Sequence, residues 1–136
     1  MSLLNYFQRQ LQRQFSHRQK CQQSPVTQGQ WAEEQAEKYL CRQGLRICAR
    51  NYGIKSGEID IIVRDQEQLV FVEVRYRHSD SFGTAAESVT PHKQKKLRRA
   101  ALHYLQKNKL NEQCPCRFDI VAMSANNRID WIKNAF

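Results

Sequence analysis

Gly57-Glu58-Ile59-Asp60-Ile61-Ile62-Val63-Arg64, the short insert Asp65-Gln66-Glu67-Gln68, and Leu69-Val70-Phe71-Val72-Glu73-Val74-Arg75-Tyr76-Arg77 decide how this chain folds. Both flanks read as strong strands, rich in β-branched and aromatic residues, and the polar insert reads as a tight turn. The second strand is apolar on both sides, as in the interior of a sheet. Glu73 interrupts that run in its middle, and a buried carboxylate is costly unless it is paired or ligates a metal. With Gln66-Glu67 as the loop tip, Asp60 faces Glu73 and Glu58 faces Arg75. Period-two alternation then puts all four side chains on one face of the sheet. Directly opposed like charges, with Cβ atoms about 4.5–5.5 Å apart, are destabilising. Two opposed carboxylates therefore call for a compensating cation. Two readings meet that demand. One is a hard divalent ion, Mg²⁺ or Mn²⁺, which takes oxygen ligands and suits the pair better than zinc. The other is a charge network in which Glu58 pairs with Arg75 while Arg77 or a helix lysine neutralises the rest. Both depend on the register, because a one-residue slip would turn one strand's side chains to the other face.

Upstream of the hairpin, Trp31 to Gln43 carries a helical stripe of Ala32, Ala36, Tyr39 and Leu40, and Gly44 fits its stop. Glu33 lies about 20° around the helical wheel from Leu40, at the margin of the buried face, whereas Glu34 points away. Leu45 to Asn51 reads as a short strand, followed by a turn over Gly53–Gly57. Downstream, Thr90 or Ser88 can cap a helix from about Pro91 to Lys107, with proline where a first turn tolerates it. Leu97, Ala100, Ala101, Tyr104 and Leu105 form its apolar side. Lys93, Lys95, Lys96, Arg98 and Arg99 form a cationic side expected to contact phosphates. Arg117 to Met123 and Ile129 to Ile132 are further strands. The order α-β-β-β-α-β-β predicts an α/β protein with a mixed sheet flanked by helices.

Residues 1–28 differ from the rest: they are rich in Gln and Arg and hold no acid. Leu4, Phe7, Leu11 and Phe15 recur at helical spacing, so a basic amphipathic helix and a frayed terminal arm both remain open. Residues 29–136 are the expected domain, one hydrophobic core in a chain of 136 residues. Lys and Arg outnumber Asp and Glu by 22 to 13, a net charge of +9. Such a balance favours polyanionic partners, because each neutralised phosphate releases counterions. The five cysteines make no zinc pattern, although Cys114-Pro115-Cys116 is a close pair, and reduced thiols are the expectation. No apolar run approaches the roughly 20 residues that span a bilayer. With no secretory signal either, a cytoplasmic protein is expected.

The chain from about Gly29 onward resembles the YraN family of small bacterial proteins. The matching residues are Gly29 through Leu40 with Glu33 and Ala36, Asn51, Gly57-Glu58-Ile59-Asp60, Phe71 through Arg77, Phe82-Gly83, Val89-Thr90 with Lys93, and Arg117-Phe118-Asp119. That family in turn is similar to the PD-(D/E)xK nucleases, with the archaeal Holliday-junction resolvases closest. The resemblance implies a restriction-endonuclease-like core, with metal-ligand roles for Asp60, Glu73 and the Val74 carbonyl and a supporting role for Glu33. It also implies DNA as partner and a homodimer, since resolvase-like nucleases pair to cut two strands. One position departs from the pattern: Arg75 stands where the superfamily has its lysine. Arginine stays protonated and is a poor general base. The sequence therefore carries a main reading and two others. The main one is a metal-dependent, structure-selective DNA endonuclease with Glu33, Asp60, Glu73 and Arg75 in its centre, RNA remaining open as a substrate. The second is a non-catalytic nucleic-acid-binding module with a degenerate site. The third is an interaction protein acting through its N-terminal arm.

Overall fold

The structure, a computed structural model, describes residues 26–78, 84–110 and 113–136. Leu4, Phe7, Leu11 and Phe15, which carry the amphipathic reading of the 1–28 arm, lie outside them. The elements are α1 (Gln28–Arg42), β1 (Arg46–Ile54), β2 (Gly57–Asp65), β3 (Gln68–Arg77), α2 (Pro91–Lys107), β4 (Cys116–Ser124) and β5 (Ile129–Ile132). Helix α1 starts earlier than its apolar stripe indicates because Thr27 caps it. The Thr27 hydroxyl accepts from Gln30 N at 3.2 Å, and the Gln30 side chain accepts from Thr27 N at 3.0 Å. This reciprocal capping box satisfies two otherwise orphaned donors. Gly44 ends the helix region at φ +88°, a conformation glycine adopts without a Cβ penalty. Strand β1 runs past Asn51 to Ile54, which shrinks the expected Gly53–Gly57 turn to Lys55 and Ser56. Helix α2 spans the residues its Thr90–Pro91 start predicts.

The five strands lie in the order β1-β2-β3-β4-β5. β1, β2 and β3 are antiparallel neighbours, β3 and β4 are parallel, and β4 and β5 are antiparallel. The parallel pair requires a crossover, and α2 supplies it. β3 and β4 each hold a run of five buried residues, since both faces of the sheet are covered. On one face Ile59, Ile62, Leu69, Phe71 and Ile120 pack with Leu97, Ala100 and Ala101 of α2. On the other, Ile61, Val63, Val70, Val72 and Val121 pack with Ala36 and Leu40 of α1.

The hairpin register is the expected one from its tip inward: Asp65 faces Gln68 and Ile61 faces Val72. There the ladder ends. Ile59 and Ile61, two apart in one strand, pack on opposite faces, so the alternation slips at Asp60. In the neighbouring strand Asn51 holds a left-handed conformation, φ 47°, between the pairs Arg50–Ile61 and Tyr52–Ile59. The expected placement of Glu58 opposite Arg75 is therefore corrected: Glu58 pairs with Gly53 of β1, and β2 has already parted from β3.

Candidate acidic centre

The opening between β2 and β3 is where the chemistry-bearing side chains meet. Asp60 fills the gap that the lost ladder leaves, its Oδ2 accepting from Val74 N at 2.8 Å. Val74, expected to offer a carbonyl, thus engages Asp60 through its N–H. Glu73 sits beside it on the α2 face, 4% exposed. Its Oε1 lies 3.3 Å from Arg75 Nε and 3.3 Å from Lys93 Nζ. Its Oε2 is buried and has no hydrogen-bond partner. A buried acceptor left unpaired costs about 1–3 kcal/mol, more when charged, so this atom is a place where a ligand is favoured.

Burial, and next the charge of Glu73, push the Asp60 carboxyl up to about 7, while the Val74 N–H and Lys93 oppose the rise. Glu33, on α1, is raised by burial and then by the charges of Asp60 and Glu58. The Asn51 amide, oriented to donate, reaches Glu33 Oε2 at 3.1 Å and Glu58 Oε1 at 3.2 Å. Glu33 is partly buried and Glu34 exposed, as the wheel predicts. Glu33, Asn51 and Asp60 line a cleft of about 620 Å³ together with Glu34, Glu37 and Arg50. Arg50 and Glu37 form an ion pair on its wall.

Of the five cations expected on one phosphate-facing side of α2, the structure separates two. Lys93 turns inward to Glu73. The sequence carried the signal: Lys93 falls about 20° from Ala100 on the wheel, within the buried face. Arg98 lies over Phe118 and Phe136, 5.9 and 5.5 Å from their ring centroids. Lys95, Lys96 and Arg99 remain outward and exposed. The strand pattern names Glu58 and the resemblance names Asn51, but neither reveals the contacts that Asn51 makes to Glu33 and Glu58.

Asp119 belongs to a different arrangement. Fully buried, it accepts from Arg117 Nε at 2.9 Å, Trp131 Nε1 at 2.9 Å and Asn134 N at 2.9 Å. Arg117 reaches on to Asp65 at 2.9 Å and Gln68 at 2.8 Å. Every group there is satisfied, which marks a clamp rather than a reactive site.

The profile of the Uncharacterised protein family UPF0102 matches residues 32–123, a span that includes every member of the acidic centre. The chain belongs to this family. A UPF0102 protein of Saccharophagus degradans is 54% identical over 108 residues, 79% of this chain and 91% of that one. One from Coxiella burnetii is 51% identical over 104 residues, covering 76% and 87%. One from Nitrosomonas eutropha is 49% identical over 113 residues, covering 83% and 96%. The UPF0102 membership agrees with the YraN resemblance read from the sequence. Among the described residues of this UPF0102 chain, no helix is long and apolar enough to cross a membrane.

Among the same residues no three His, Cys, Asp or Glu side chains converge into a ready-made metal cage. The residues nonetheless suit a hard divalent ion. The donors are carboxylate oxygens, and Glu73 Oε2 is orphaned beside Asp60. The compensation that the sequence argument demanded is also met within the chain, by Lys93 and Arg75 on Glu73.

Proposed function

We propose that this chain is a metal-dependent endonuclease that hydrolyses phosphodiester bonds in DNA, working from the centre of Asp60, Glu73, Glu33 and Lys93. The observation that carries the reading is the buried, unpartnered Glu73 Oε2 next to a carboxyl pushed up to about 7. Strongly perturbed, desolvated carboxylates in a cleft are characteristic of functional sites. Asp60, Glu73 and the Val74 carbonyl would hold Mg²⁺ or Mn²⁺, which when bound lowers the pKa of a water and offsets phosphate charge.

The chain's own groups supply the rest. Glu33 borders the cleft with its carboxyl raised, which suits a group that takes a proton from an attacking water. Asn51 fixes that carboxylate, so its orientation is set before substrate arrives. Arg75 cannot act as base but can neutralise charge on the phosphate. Lys93 brings from α2 the ammonium that β3 lacks at Arg75, already within 3.3 Å of Glu73.

A second reading rests on the same ion pairs. Because Lys93 and Arg75 already balance Glu73, the fold is sustained without a metal, as in a non-catalytic nucleic-acid-binding module. One experiment separates the two. Branched and linear duplexes are incubated with Mg²⁺ or Mn²⁺, with and without chelator, using the wild type, Asp60→Asn and Glu73→Gln. Cleavage by the wild type alone supports the nuclease. Cleavage that persists in both variants overturns it, and binding without cleavage, indifferent to chelator, favours the second reading.

A further inference from the structure

A second cleft lies at the far end of β2 from the hairpin tip. Lys55 and Ser56 of the β1–β2 turn, Gly57 and Glu58 at the start of β2, and Lys96 and Arg99 of α2 line about 440 Å³ of open groove. Its two walls are held close together by Gly57. A Cβ at that position would meet the Lys96 backbone carbonyl oxygen at 2.8 Å, so only glycine lets the turn seat on the helix. This seating gathers Lys55, Lys96 and Arg99, which come from two separate stretches of the chain, around one concavity. The one acid in its lining, Glu58, is held by the Asn51 amide.

Helix α2 contributes to both the groove and the acidic centre. Lys93, Lys96 and Arg99 follow each other at three-residue steps, each about 4.5 Å further along the axis. The first contacts Glu73 and the other two line the groove. Glu58 links the same two places through Asn51 and Glu33. A row of cations that starts at the reactive carboxylates and leads away from them matches a phosphate chain whose cleaved link sits at the Lys93 end. None of the lining side chains is aromatic. Grooves that hold single strands depend on bases stacked upon aromatic rings, so this one is suited to a paired helix met through its phosphates.

We propose that the Lys55–Lys96–Arg99 groove receives the sugar–phosphate backbone of duplex DNA flanking the Asp60–Glu73 centre, without reading bases. The proposal rests on the nucleic-acid reading above but not on cleavage. Its test is therefore binding in the presence of chelator, where no turnover occurs. A labelled DNA duplex is titrated across a salt series with the full chain and with Lys96→Ala/Arg99→Ala. Lys38→Ala/Arg42→Ala, which removes the same charge from exposed positions of α1, serves as control. The groove variant is expected to bind about tenfold more weakly and to flatten the salt slope by about 1.8, as two lost phosphate contacts require. The α1 variant is expected to keep the wild-type slope. Equal losses in both variants would reduce the effect to net charge and overturn the groove. So would an unchanged slope in the groove variant, absence of wild-type binding at low salt, or a preference for single strands or duplex RNA. If groove variants lose binding while no preparation ever cleaves, the groove stands and the nuclease reading falls.

Discussion

Asp60 accepts the backbone N–H of Val74 at 2.8 Å, a bond from side chain to main chain in the position where β2 and β3 would otherwise continue their ladder. The bond explains how a carboxylate can stand inside a sheet. The strands part, the alternation slips, and the freed Val74 donor is satisfied by the group that occupies the gap. From this position Asp60 interacts with Glu73 and Lys93 towards α2 and also lines the cleft beside α1.

Asp60 makes the protein less stable as pH rises. In the folded chain its carboxyl is pushed up to about 7, against an ordinary value of 3.8. Below the lower value both states hold the proton and the group contributes no difference. Between the two, the folded state keeps a proton that the unfolded chain releases, so stability falls with rising pH and levels off above about 7. The full displacement corresponds to on the order of 4 kcal/mol. Asp60→Asn stays neutral throughout and can still accept from Val74. It is expected to be near wild type at pH 4 and more stable by on the order of 2–4 kcal/mol at pH 8. Urea unfolding in chelator checks this, and wild-type and variant curves that stay parallel across pH would refute it.

Asn51 combines two roles that substitution can separate. Its φ of 47° costs an ordinary L-residue about 1–2 kcal/mol, whereas glycine adopts it freely. Its amide also lowers the pKa of Glu33. Asn51→Ala is expected to destabilise the fold by about 1–2 kcal/mol more than Asn51→Gly. Both variants are expected to raise the Glu33 pKa further, which a carboxyl-resolved NMR titration reads. A Glu33 titration unmoved in both would show that the amide does not hold that carboxylate.

Much of this arrangement was legible in the sequence, and the exceptions have a common cause. The hairpin register followed from the Gln66-Glu67 tip, and α2 followed from Thr90-Pro91, because both are set by local chemistry. Glu33 was placed by a wheel that α1 obeys closely. The displacement of Glu58 from Arg75 was not legible, since period-two reasoning presumes an unbroken ladder and a left-handed residue inside a strand leaves no periodic trace. Charge alone groups Lys93 with the outward cations, although its angle on the wheel puts it with Ala100. Asn51 offered only its tolerance of a left-handed backbone, which is a hint about conformation and says nothing of its two carboxylate partners.

Arg117 is expected to be worth more to stability than any surface cation. It is the guanidinium that compensates fully buried Asp119 and ties β4 to the hairpin tip through Asp65 and Gln68. Arg117→Met strands a buried charge and is expected to cost about 3–5 kcal/mol. The double variant Arg117→Met/Asp119→Leu removes that charge as well and is expected to recover part of the loss. Denaturant unfolding followed by tryptophan emission suits this, because the Trp131 indole donates to Asp119. A double variant less stable than Arg117→Met alone would contradict the assignment of the loss to an unpaired Asp119.

Metal binding at the acidic centre has a consequence that needs no substrate. An ion that binds only the folded chain raises its stability by RT ln(1 + [ion]/Kd), about 2.7 kcal/mol at a concentration a hundredfold above Kd. Mn²⁺ is therefore expected to raise the melting temperature of the wild type in a concentration-dependent way, with chelator reversing it. Asp60→Asn and Glu73→Gln each remove a negative ligand and are expected to lose most of that shift. Lys93→Met acts in the opposite direction, because it takes away the ammonium that shares Glu73 Oε1 and leaves more charge for the ion to neutralise. It is expected to be less stable than wild type in chelator and to gain more from Mn²⁺. Equal Mn²⁺ shifts in all four proteins would assign the ion to another place on the surface, and the absence of any shift would leave Glu73 balanced by Lys93 and Arg75 alone.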